Sequence, residues 1–164
     1  STTVMFLFVW FSGIWMGGCE TQEQKVEKLI KQLQDDVEIR HYAIWELVEI
    51  GKDAVPFLIQ ALQDADSGVC VNVTTALGWI GEGAISAVPT LIQLLQDKNA
   101  GSDVRANVAT ALGWIGEGAQ DTVPSLIQAL QDQDAGVCQG VVEALENIDT
   151  PEALKAVKEY ESRQ

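Results

Sequence analysis

Beyond residue 24 the apolar residues of this chain fall at helical spacing. Val69, Val73, Ala76, Leu77 and Ile80 lie at i, i+4, i+7, i+8 and i+11, one stripe down one helix face. Gly81 ends that helix and Gly83 sits in the turn that follows. Pro89 begins a second helix, where its missing N–H costs nothing, and Leu91, Ile92 and Leu95 form its stripe. No segment alternates with the period of two that marks a strand. The stripes predict that Leu77, Ile80, Leu91, Ile92, Leu112, Ile115, Leu126 and Ile127 are buried.

The pattern recurs. "ALGWIGEGA" stands at Ala76–Ala84 and again, unchanged, at Ala111–Ala119. "VPFLIQALQD" from Val55, "VPTLIQLLQD" from Val88 and "VPSLIQALQD" from Val123 are one string, and "VEKLIKQLQD" from Val26 is the same string without its proline. The upstream partners are "IRHYAIWELVEIG" from Ile39, "VCVNVTTALGWIG" from Val69, "VRANVATALGWIG" from Val104 and "VCQGVVEALENID" from Val137. Each unit is thus a pair of antiparallel helices. One pair cannot bury its stripe alone, and stacking neighbours makes the core continuous.

These strings, "A-L-G-x-I-G" and "A-V-P-x-L-I-x-x-L-x-D", resemble HEAT repeats, specifically the short HEAT-like type of the phycobilisome lyases. The resemblance covers Val26–Tyr160. It implies an all-α fold, an alpha-alpha superhelix of stacked helix pairs, with the repeat domain over residues 25–161. Gln22–Asp35 is expected to form a half-unit at one end, and Pro151–Tyr160 a short helix that closes the other.

The first residues are a different object. Ser1–Gly18 carry no charge, Val4–Met16 is nearly all apolar, and a charged segment starts at Glu20. The run suits a secretory signal better than a full membrane span. Met16-Gly17-Gly18-Cys19 resembles the bacterial lipobox. That resemblance makes residues 1–18 a signal peptide, Cys19 a lipid attachment site and residues 19–24 a short tether. Met16, where Leu is usual, and the lack of a basic leader depart from the pattern. Ser1 is not an initiator Met, so the expected start lies upstream. A plain anchor and an ordinary cleaved signal are the alternatives. Glu20 after the Cys, rather than Asp, favours the outer over the inner membrane.

Charge narrows the partners. Against 24 acidic residues stand 10 basic ones, a net −14. Nucleic acid is disfavoured, because phosphate binding needs a Lys/Arg patch. Bare anionic lipid is repelled, and a basic partner is favoured. No catalytic residue, cofactor or metal is assigned. The single histidine, His41, leaves no Ser/His/Asp set and no metal-binding His-Glu pairs, and reads as a surface residue. Glu82 and Glu117 in the two "GEGA" turns read as solvated carboxylates.

Stacked units place equivalent residues in ladders. Gln60, Gln93 and Gln128 form one on the second helices, with Gln34, Gln63, Gln96 and Gln131 parallel to it and Phe57, Thr90 and Ser125 beside it. By the resemblance this strip lies on the concave face, either as ordinary solvated helix surface or as a partner-binding strip. Trp79 and Trp114 form another, each seven residues after an asparagine (Asn72, Asn107) and off the apolar stripe. They either stack to cover the groove between units or anchor a partner. Trp45 falls at a different position of its unit and is not expected to be a third rung. In a third ladder, HEAT-like units commonly carry an Arg early in the first helix with an Asp from a preceding segment. Arg40 and Arg105 fit, but Cys70 and Cys138 stand there in the other units. Two units apart, at about 10 Å per unit, these cysteines are too distant for a disulfide, which needs about 7 Å. Both are expected to be buried thiols.

The expectation is a non-enzymatic, protein-binding adaptor, lipid-anchored in a bacterial envelope. The alternative is a bilin-lyase-like subunit or chaperone acting on a chromophore-carrying protein.

Overall fold

The structure is a computed structural model and describes residues 20–64 and 67–164. The expectations for residues 1–19, Cys19 as a lipid site among them, and for the Glu117 side chain lie outside what it describes. The helices are α1 (Gln22–Gln32), α2 (Val37–Ile50), α3 (Val55–Asp64), α4 (Ser67–Ile80), α5 (Val88–Gln96), α6 (Ser102–Ile115), α7 (Val123–Ala129), α8 (Ala135–Ile148) and α9 (Pro151–Glu161). Among the described residues there is no strand, and no helix is long and apolar enough to cross a membrane.

Start signals sit where the chemistry requires them. Thr21 and Gln24 form a capping box on α1, Asp36 caps α2, Asp134 caps α8 and Thr150 caps α9. Pro89, Pro124 and Pro151 stand at the first or second position of α5, α7 and α9. The first helices end at Gly51, Gly81 and Gly116, all with φ between 65° and 70°. There a Cβ would be strained, and glycine is not. In the last unit Asp149 takes over in the left-handed region, at φ 53° and ψ 32°, where Asp and Asn are tolerated. Tight 3-10 turns over Gly51–Ala54, Gly81–Ala87 and Gly116–Thr122 then lead into the second helices. These turns stack too. A Cβ on Gly83 would lie 3.7 Å from the Lys52 Cβ, and one on Gly118 would lie 3.0 Å from the Ile85 Cδ1.

The units are the predicted helix pairs: α2 with α3, α4 with α5, α6 with α7. First helices pack directly on one another, α4 on α6 and α6 on α8, whereas second helices touch one another far less. Small residues set this asymmetry. A Cβ on Gly78 would lie 3.1 Å from the Ala111 Cα, and one on Gly113 only 2.7 Å from the Ala144 Cα. The core runs unbroken from Val26 and Leu29 in α1 to Ala153 and Val157 in α9.

Five of the eight predicted core residues are buried: Leu77, Leu91, Leu112, Ile115 and Leu126. Ile80, Ile92 and Ile127 are only partly buried at the margin of the core. The stripe of a second helix is narrower than predicted. Val88, Leu91 and Leu95 at i, i+3 and i+7 fill it, so Ile92, a further 100° around the helix, flanks it.

Candidate functional site

Among the described residues, exposed aromatic rings form a row across the first helices. Trp79 on α4 and Trp114 on α6 are 44% and 45% exposed, Trp45 on α2 is 58% exposed, and Tyr42, one turn before Trp45, is 60% exposed. Trp45 and Trp79 have ring centroids 5.5 Å apart at 46°. Trp79 and Trp114 are 6.3 Å apart at 41°. Trp45 is therefore the third rung that its alignment excludes. In α2 the position equivalent to Trp79 is Glu49, four residues after Trp45. Residues i and i+4 share a helix face, and an indole spans the offset of one turn, about 5.4 Å.

Glycine makes the seat for a ring. A Cβ on Gly78 would come within 2.7 Å of the Trp114 Cε3, so the indole of one unit lies over the bare backbone of the unit before it. Gly113 offers the same seat to the next unit, but there the equivalent residue is Asn147. The row stops at that point. The rings pack on one another, as the stacking expectation has it, and close to half of each stays in solvent.

The surroundings of the row are acidic. Glu49, Glu82, Glu143 and Glu146 are exposed. Glu46 pairs with Lys25 at 2.7 Å, tying α2 to α1. Their hydrogen bond, with that from Tyr42 to Glu46, holds the Glu46 carboxyl below its ordinary range, and the bond to Glu46 lifts the Lys25 ammonium. Across α4, α6 and α8 the sequence holds one basic residue, Arg105.

Arg105 is engaged in the frame. Its Nε and Nη2 donate to both oxygens of Asp132, at 3.0 and 3.1 Å, and its Nη1 donates to the Ala100 carbonyl. Asp132 follows α7 of the same unit, so the Arg–Asp pair closes forward within a unit and not onto a preceding segment. Cys138 stands at the Arg position of the last unit, and its Sγ lies 3.5 Å from the Leu130 carbonyl and 3.3 Å from that of Asp132. Cys70 faces the Leu62 carbonyl at 3.9 Å. Both are buried thiols, as expected. A hydrogen bond with Cys138 pushes the Tyr160 phenol up.

The remaining candidates separate. Asn72 is half-buried, and its Nδ2 donates to the carbonyls of Leu33 and Gly68, at 3.1 and 3.0 Å, so it joins α4 to the end of α1. Asn107 donates only to the Asp103 carbonyl, within its own helix. Gln60, Gln93 and Gln128 are exposed on α3, α5 and α7. Phe57 packs half-buried against the core. The glutamine strip and the tryptophan row thus belong to different helix layers. His41 is exposed, and no group of three metal-ligating side chains exists among the described residues. The sequence signal was available for Trp79 and Trp114, which lie off the apolar stripe at equivalent positions, but not for Trp45.

A family described as HEAT repeats matches residues 26–102 and 89–162. No curated protein matches the sequence. Among solved structures, the complex of CpcE and CpcF of phycocyanin lyase from Nostoc sp. PCC7120 is similar, with a TM-score of 0.72 at 18% identity, covering 84% of this chain and 86% of that one. At that identity the likeness is one of fold.

Proposed function

The chain belongs to the HEAT-repeat family, and on that premise we propose that it is a protein-binding subunit of the lyase-like kind. It holds a partner protein and does no covalent chemistry itself. The observation that carries this reading is the row of Trp45, Trp79 and Trp114, about half exposed and held in fixed register by the packing beneath it. Clustered, rigid indoles lose little entropy on binding and are the commonest anchors of protein interfaces. The similar phycocyanin lyase structure is itself a complex of two proteins, CpcE and CpcF. A lyase-like role makes the partner a HEAT-repeat chain or the client that carries the chromophore.

The test is affinity purification of the full chain from its source cells, in parallel with the triple variant Trp45→Ala, Trp79→Ala, Trp114→Ala. A matched variant of the other layer, Gln60→Ala, Gln93→Ala, Gln128→Ala, serves as control. A defined complex lost only in the tryptophan variant supports the reading, and visible absorbance in that complex supports the chromophore role. A complex lost only in the glutamine variant moves the interface to the second helices.

A second reading, an adaptor tethered in the bacterial envelope, is favoured by Met16-Gly17-Gly18-Cys19 alone. The two are compatible as far as the interface goes. They differ in where the partner is met.

A further inference from the structure

We infer that the occupant of the tryptophan row is a cationic, extended segment of the partner, with Arg or Lys at alternate positions. The inference rests on the protein-binding reading above and adds the chemistry of the ligand.

Three observations converge on it. The first is the ring pitch. Centroids are 5.5 and 6.3 Å apart along the row. In an extended chain, residues i and i+2 point the same way and lie about 6.6 Å apart. One extended segment crossing the first helices therefore presents every second side chain to a successive ring.

The second is the chemistry of the rings. Each indole is tilted by 41–46° to its neighbour and leaves about half its surface to solvent. The face of Trp is the best side-chain surface for a guanidinium or ammonium, at up to about 6 Å from its centroid. The third is the field. Glu49 lies one turn beyond Trp45 on α2, and Glu82 lies in the turn that follows α4. Glu143 and Glu146 on α8 border the end of the row, where Asn147 replaces a ring. All four are exposed. The exposed cation set against them is Lys52, in the turn beside Gly83. Arg105 is bound to Asp132, and Lys25 to Glu46. With the net charge of −14, this surface attracts cations and repels anions over the range of the screening length. A neutral apolar partner would use the rings but waste the field. A basic one uses both.

The probe is a capped peptide, Gly-Arg-Ser-Arg-Ser-Arg-Gly, titrated into the full chain by calorimetry at low ionic strength. Its control carries citrulline, which keeps the shape and hydrogen bonds of arginine without the charge. The expected result is one peptide per chain, with the citrulline peptide weaker by tenfold or more. Each ring is worth about two- to fivefold at an exposed site. Trp79→Leu should therefore weaken binding by about that factor and Trp79→Phe by less. Glu49→Gln with Glu82→Gln, surface changes that leave packing untouched, should weaken binding and flatten its salt dependence. Equal affinity for the two peptides, no binding at all, or binding indifferent to Trp79→Leu overturns the inference. If in those cases the tryptophan triple variant still loses its cellular complex, the docking face stands and only its cationic occupant falls. If it keeps the complex, both fall.

Discussion

Substituting Gly113 by alanine sets two effects of opposite sign against each other. Gly113 lies within α6, and on helix propensity alone alanine should stabilise by about 1 kcal/mol. The surroundings forbid the gain. The added Cβ would stand 2.7 Å from the Ala144 Cα and 3.1 Å from the Ala144 Cβ. The first neighbour is backbone, so no rotamer change relieves it, and α6 and α8 must separate by roughly 0.7 Å or more to reach ordinary contact. A gap of that size forfeits a quarter to a half of each dispersion contact along the seam. The seam brings Ala106, Thr110 and Gly113 of α6 against Gly140, Ala144 and Asn147 of α8. Overpacking of this kind costs about 2–3 kcal/mol. Subtracting the propensity gain leaves a net loss of about 1–2 kcal/mol. Urea unfolding followed by far-ultraviolet circular dichroism measures it as a lower midpoint at unchanged slope. A midpoint raised by the alanine would refute the claim that glycine is there to let the helices touch.

Other substitutions test other parts of the frame. Gly116→Ala adds a Cβ that meets nothing within 4 Å, yet φ is +70°. The expected loss of about 1–3 kcal/mol in the same urea assay is backbone strain alone, and an unchanged midpoint would count against it. Asp132→Asn should cost about 1–3 kcal/mol at neutral pH. The hydrogen bond from Arg105 holds the Asp132 carboxyl below its ordinary value, so its contribution is present above the unfolded value near 3.9 and fades as pH falls through the folded one. The gap between wild type and variant should close under about pH 4, and a gap independent of pH would remove the ion pair from the account. For the N-terminal segment, Cys19→Ala in the full-length protein should abolish a lipid mass increment and normal processing. Identical mass and fractionation of the two chains would eliminate lipid attachment.

The helix pairs were legible because the signals that make them are local. Apolar spacing, a proline that opens a helix and a glycine that closes one act within a turn or two of chain. What escaped the sequence depends on how one unit sits against the next. Trp45 aligns a full turn away from its partners, and only the packed geometry shows its ring within 5.5 Å of Trp79. Asn72, grouped by spacing with the tryptophan ladder as a binding candidate, instead has its amide on the Leu33 carbonyl, 39 residues away. Arg105 was expected to reach backward and instead reaches forward, because Asp132 lies just past the end of α7. Ile92 and Ile127 satisfied the pattern, but helices as short as α5 and α7 offer the core only one narrow edge. The glutamine strip remained a single pattern, and within it Gln96 donates to the Ser125 hydroxyl at 3.4 Å, joining α5 to α7.

The glycine seats carry a consequence for how such a protein can change size. Gly78 accepts the ring of the following unit, and Gly113 is already shaped to accept another, though Asn147 now occupies that place. The α6 unit thus brings a ring, Trp114, for the unit before it and a glycine seat, Gly113, for the unit after it. Copying the segment between two prolines would insert a complete rung, with its socket, and leave both ends of the stack as they were. The aromatic strip can lengthen or shorten only in whole steps of about 6 Å, and the reach of whatever it grips is inherited by counting units.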